Sequence, residues 1–140
     1  MAEKITDEEA VERSCADVTT GEARYLMALL DMQRDGTTGD TSQAGLARHL
    51  AVSAPTALEM LRRLRSLGLV ADKTVNLTPA GASAALVLSS RRRAALAIMQ
   101  DVLGLEGEDA ENEAAWLAAS SSPLLGRHLI SWRAHGQTGA

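Results

Sequence analysis

The chain has 140 residues and a formal net charge of −4, a length that suits one compact domain or two small ones and leaves no room for a large enzyme. Hydrophobic residues make up 46% of it, yet there is no Phe, and Tyr25, Trp116 and Trp132 are the whole aromatic content. Ala, Leu and Val must therefore build the core, which favours packed helices over a β-sandwich and excludes single-stranded nucleic-acid binding by base stacking.

Charge is spread unevenly. Residues 1–40 hold ten acidic and four basic side chains, residues 41–100 eight basic and two acidic, and residues 101–140 six acidic and two basic. A basic middle in an acidic chain points to a local face for a polyanion, with a self-neutralising surface as the plain alternative. Residues 1–18 read as an acidic leader, in which Thr6 followed by Asp7, Glu8 and Glu9 signals a short helix over about 7–15. The opening MAEKITDEEA is acidic where a signal peptide is basic and then apolar. Apolar stretches are interrupted well short of a membrane span, and the lone Cys15 can form no intramolecular disulfide or zinc knuckle. The expectation is a soluble cytoplasmic protein with no membrane partner.

A helix is predicted from Thr19–Thr20, with Tyr25, Leu26, Leu29, Leu30 and Met32 at helical spacing and Gly36 to stop it; residues 35–41 are a loop by composition. Thr41 or Ser42 then caps a short helix with Ala44, Leu46, Ala47 and Leu50 inward. After a tight connection through Ala51 and Val52, Ser53 caps a second helix with Pro55 in its first turn. Ala57, Met60, Leu61, Leu64 and Leu67 line one side of that helix, and Glu59, Arg62, Arg63 and Arg65 occupy the rest until Gly68. Two helices across a short turn, the second with a basic outer face, make a helix-turn-helix whose second helix enters a DNA major groove.

Residues 69–71 and 74–77 read as a short β-hairpin, the wing of a winged helix, with Lys73 at its tip. Thr78 and Pro79 open a long helix to about residue 103, carrying Ala82, Ala85, Leu86, Leu88, Leu96, Ile98, Met99, Val102 and Leu103, and Gly104 closes it. An acidic helix is predicted over 108–119, and Ser122–Pro123 opens a last one with Leu124, Leu125, Leu129, Ile130 and Trp132 as an apolar stripe. The fold class is mainly α. A winged helix-turn-helix DNA-binding domain (19–78) is followed by an α-helical dimerisation domain (79–134) and a polar tail (135–140).

The segments YLMALL (25–30), LARHLAVSAPTALEMLRRLRSLGLV (46–70), LTPAG (77–81), DVLGL (101–105) and EAAWL (113–117) occur in an order that resembles the iron- and manganese-dependent repressors of the diphtheria-toxin repressor family. The resemblance spans about residues 19–133, and with no SH3-like domain following, the length resembles the shorter manganese-type members. It implies a dimeric DNA binder switched by a divalent metal. Carried over residue by residue, however, the family's ligand positions fall on Arg92, Leu96, Glu111, Ala115, Ala118 and Ala119, with the first-helix ligand near Arg24. Only Glu111 among these is a metal donor, and a divalent cation needs several donors converging. The expectation is therefore no metal and no cofactor. The vacated positions are either packed shut or form a candidate effector pocket lined by Leu96, Ala115, Ala118 and Ala119, its effector unknown.

Double-stranded DNA and a second copy of the chain are the expected partners. The DNA-binding set is Ser42, Gln43, Ser53, Pro55, Thr56, Glu59, Arg62, Arg63 and Lys73, with Arg65 a further phosphate anchor. Glu59 stands where relatives often carry Gln; it either accepts from cytosine N4 or pairs with Arg62 or Arg63. Leu58 either meets a thymine methyl or packs on the wing. Arg91–Arg93 read as dimer contacts or ion-pair partners of Glu106–Glu113. His49, His128, His135 and Cys15 lack ligand spacing and read as scattered surface residues. No nucleophile–base pair, phosphate loop or paired carboxylate is evident, so the expected function is transcriptional regulation, most simply repression, by a homodimer and not enzymatic. Two alternatives stand beside it: a winged-helix protein-interaction module, and a metal sensor with relocated ligands.

Overall fold

A computed structural model describes residues 18–35 and 41–136. The expected leader helix at 7–15, Cys15, most of the 35–41 loop and the end of the tail lie outside these described residues. The described chain is mainly α-helical, in the order α1 (Thr20–Asp35), α2 (Gln43–Leu50), α3 (Ala54–Ser66), α4 (Pro79–Ala97), a π-helical turn (Ile98–Val102), α5 (Gly107–Ser120) and α6 (Pro123–Gly136). Residues Gly21–Leu86 form one compact unit, and the chain from Val87 onward forms another.

In the first unit the helix ends follow from local chemistry. Ser42, in extended conformation, accepts from the Gly45 amide through Oγ at 3.0 Å, and Ser53 does the same for the Thr56 amide at 3.2 Å. Pro55 sits in the first turn of α3, where its missing N–H costs nothing. The turn between α2 and α3 is made by Ala51 at φ 55°, a left-handed conformation taken here without glycine. The Val52 amide closes it on the Ala47 carbonyl at 3.0 Å. Behind the helix pair, Leu26, Leu29, Leu46, Ala57, Leu61 and Leu64 are wholly buried, giving the two helices a shared apolar floor. Tyr25 is buried too; desolvation raises its phenol above the ordinary value, against a smaller lowering by the Arg24 guanidinium, so the ring stays un-ionised.

Several positions expected inside face outward: Ala44, Leu67, Leu86, Val102 and Leu103 are exposed. Ala44, Leu67, Val102 and Leu103 lie at element ends, where a period-based inner face extends past the neighbour that would cover it; Leu86 stands in the middle of α4. The wing is also shorter than a hairpin. A single antiparallel bridge joins Val70 to Leu77, with the Ala71 amide donating to the Asn76 carbonyl at 2.9 Å. Thr78 ties the wing to α4: its amide donates to the Leu69 carbonyl, its hydroxyl to the Gly68 carbonyl at 2.7 Å, and its Oγ1 accepts from the Gly81 amide at 3.1 Å.

In the second unit Ala95, Met99, Ala110 and Ala114 form a small core, with Leu96, Leu105 and Leu117 packed against it. The π turn is marked by the Leu103 amide donating to the Ile98 carbonyl, and α5 packs on it. Arg91, expected in a dimer contact or as an ion-pair partner of Glu106–Glu113, is 1% exposed. Its guanidinium runs so close to α6 that a Cβ on Gly126 would lie 2.1 Å from Nε. The anticipated pairing of Arg91–Arg93 with Glu106–Glu113 does not form: none of those five acids has an ion pair within 4 Å among the described residues. Arg93 instead donates to Ser90 Oγ, one turn back on its own helix.

Candidate nucleic-acid interface

Helix α3 has two chemically distinct sides. Ala57, Leu61 and Leu64 are wholly buried, which turns Ser53, Pro55, Thr56, Glu59, Arg62 and Arg63 to the solvent side, all of them exposed. Ser53 and Thr56 engage each other, the Ser53 hydroxyl donating to Thr56 Oγ1 at 2.7 Å. Ser42 and Gln43, at the start of α2, are half-buried, and Ser42 Oγ is committed to its cap. Lys73 is exposed at the wing tip, and Leu58 is half-buried.

The cations of α3 divide into three roles. Arg65 was expected to anchor a phosphate. It is instead turned back on the wing, with Nε donating to the Ala71 carbonyl at 2.9 Å and Nη2 to the Thr74 carbonyl at 3.1 Å. With so little β-structure in the wing, these two bonds hold its backbone to α3. Arg63 reaches inward through Nε to Glu22 Oε1 on α1 at 2.6 Å, while its side chain stays 62% exposed. Arg62 has no ion-pair or hydrogen-bond partner among the described residues, and neither has Glu59. The alternative pairing of Glu59 with Arg62 or Arg63 is thus not made, and the carboxylate stands uncommitted on the outer face. Neither the wing brace nor the Glu22 partner could be read from helical spacing, since both contacts cross between elements.

The positions where a divalent metal is expected from the resemblance do not suit one. Ala118 is fully buried, Leu96 packs on the alanine core, Ala115 and Ala119 are half-buried, and Glu111 is exposed. Arg24 and Arg92 bring positive charge instead of donors. Among the described residues no group of three or more His, Cys, Asp or Glu side chains is placed to hold a metal ion; His49 is exposed on α2, and His128 and His135 are exposed two turns apart on α6. The candidate effector-pocket residues Leu96, Ala115, Ala118 and Ala119 all lie in the second unit. A cavity of about 200 Å³ does adjoin Leu96, but its other walls are Arg93, Ala97, Gln100, Asp101 and Arg133.

Residues 17–74 match the family model described as the iron-dependent repressor N-terminal DNA-binding domain. Among curated relatives, the diphtheria toxin repressor of Corynebacterium diphtheriae is 27% identical over 109 residues, covering 76% of this chain and 47% of that protein. The iron-dependent repressor IdeR of Mycobacterium tuberculosis is 30% identical over 109 residues, covering 76% of this chain and 46% of that protein. The chain thus spans about half the length of the curated relatives it matches. No helix among the described residues is long and apolar enough to cross a membrane. Sequence match and helix order agree: the chain resembles the diphtheria-toxin repressor family, and residues 17–74 match the iron-dependent repressor N-terminal DNA-binding domain.

Proposed function

We propose that this chain is a cytoplasmic, DNA-binding transcriptional repressor, not an enzyme, that acts as a homodimer and needs no metal. The observation that carries the reading is the outer face of α3. It presents Thr56, Glu59 and Arg62 to solvent on a helix whose opposite side is locked into the core, within the segment that matches a DNA-binding domain. In this reading residues 19–78 dock on duplex DNA. Arg62, Arg63 and Lys73 meet phosphates, Ser42, Gln43 and Ser53 flank the groove, and Pro55, Thr56 and Glu59 reach base edges. Residues 79–134 supply the dimer contact. Its support is an uncovered apolar surface on α6, where Leu124 is 60%, Leu125 43% and Trp132 37% exposed. A twofold dimer sets two recognition helices about one DNA turn apart, roughly 34 Å, or a multiple of it.

Metal independence rests on the donor set. The residue types at the family's positions are one carboxylate, three alanines, a leucine and two arginines, too few donors for a divalent cation. Affinity for a duplex, followed by fluorescence anisotropy, is expected to be the same in Mn(II), in Fe(II) and in excess chelator. A gain in affinity with metal that the chelator reverses would overturn this and favour a sensor with relocated ligands.

A further inference from the structure

An ion pair of the first unit joins a buried acid to the helix that faces solvent. Glu22 lies in the first turn of α1 with its side chain only 2% exposed, among Ala23, Leu26 and Leu29 at 0%. A carboxylate in such surroundings is retained at a cost in desolvation unless a cation meets it. The cation that does so comes from 41 residues away: Arg63 Nε donates to Glu22 Oε1 at 2.6 Å. The two partners differ sharply in environment, acid inside and guanidinium 62% exposed.

A guanidinium is a rigid planar fork with five donors. Fixing its Nε edge on a buried oxygen therefore fixes the direction of the remaining N–H groups, which lie on the solvent side. Arg62, its neighbour, has no such tether and must give up rotamer freedom to hold a phosphate. We infer that Glu22 is a positioning residue for DNA binding: from inside the core it holds the Arg63 guanidinium oriented, so that its outer N–H groups meet a backbone phosphate already in place. The inference rests on the DNA-binding reading above. It adds to that reading a residue of α1 that never touches DNA yet sets the strength of one contact.

The test compares duplex affinity by fluorescence anisotropy across a salt series for the wild-type chain, Glu22→Gln, Arg63→Lys, Arg63→Ala and the double variant Glu22→Gln/Arg63→Ala. Thermal melts establish that each is folded at the assay temperature. Glu22→Gln keeps the positive charge of Arg63 but weakens its tether. Affinity should fall about fivefold, the scale of one side chain's ordering, with the salt slope unchanged. Arg63→Ala should lower affinity further and reduce the magnitude of the slope by roughly 0.9 per phosphate lost. In that background the added Glu22→Gln should change affinity no further. Should Glu22→Gln fail to melt cooperatively, Arg63→Lys carries the same test, since it keeps the charge and loses the fork; it too should weaken binding at constant slope. Equal losses from Glu22→Gln with and without Arg63, unchanged binding by folded Glu22→Gln or Arg63→Lys, or tighter binding by Glu22→Gln, would overturn the inference while leaving DNA binding intact. A wild-type chain that shows no salt-dependent binding overturns both.

Discussion

Raising the salt concentration from about 50 to about 200 mM is expected to weaken duplex binding by roughly 250- to 1,000-fold. Two or three cations per protomer are placed to meet phosphates: Arg62 and Arg63 on α3, and Lys73 at the wing tip. A dimer would then neutralise about four to six phosphates, and at about 0.9 per phosphate the slope of log K against log salt is roughly −4 to −5. Arg65 is left out of this sum because both of its observed donors are spent on wing carbonyls. Filter binding over a salt series measures the slope. A flat response would remove the phosphate contacts from the account and leave the protein-interaction reading in their place.

The largest effect on folding is expected at Gly81. It stands in the first turn of α4, where a Cβ would lie 1.9 Å from the Leu69 carbonyl oxygen and 2.9 Å from its carbon. Both are backbone atoms of a buried residue, and the same carbonyl accepts from the Thr78 amide, so neither can swing aside. Alanine is favoured over glycine in a helix by about 1 kcal/mol, but overpacking against backbone costs more. Gly81→Ala should therefore lose about 3 kcal/mol, a large share of an ordinary domain's stability, and lower the melting temperature by about 10 °C. Thermal melts followed by circular dichroism check this. Melting at or above the wild-type temperature would show that the wing and α4 do not pack as described.

The helices could be read from the sequence because their signals are local. Ser42, Ser53, Pro55, Thr78 and Pro79 act within one turn of themselves, and the caps at Ser42 and Ser53 form as the residue types require. The outer face of α3 followed by subtraction once Ala57, Leu61 and Leu64 were turned inward. What could not be read depends on contacts between distant residues. The Arg-Arg-Arg run at 91–93 reads as dimer contacts or ion-pair partners of the acidic helix, and the close passage at Gly126 puts Arg91 inside instead. Nothing in Ile98–Val102 announces a π turn, since the change is one of hydrogen-bond register with unremarkable side chains. The left-handed turn at Ala51 lacks the glycine that would have marked it. For the site, spacing delivered the list of outward residues. It could not say that Glu22 holds Arg63, that the wing takes Arg65, and that Glu59 is left unpaired.

Selection of duplex fragments from a random-sequence library, carried out in excess chelator, bears most directly on the central claim that this fold reads DNA without a metal. The expected result is enrichment of a palindromic site with half-sites about one helical turn apart, or a multiple of it. A cytosine is expected in each half-site, its N4 amino group donating to Glu59, and Glu59→Gln should relax or change the preference at that position. Absence of any enriched sequence in chelator, or enrichment only when Mn(II) or Fe(II) is restored, would contradict the account.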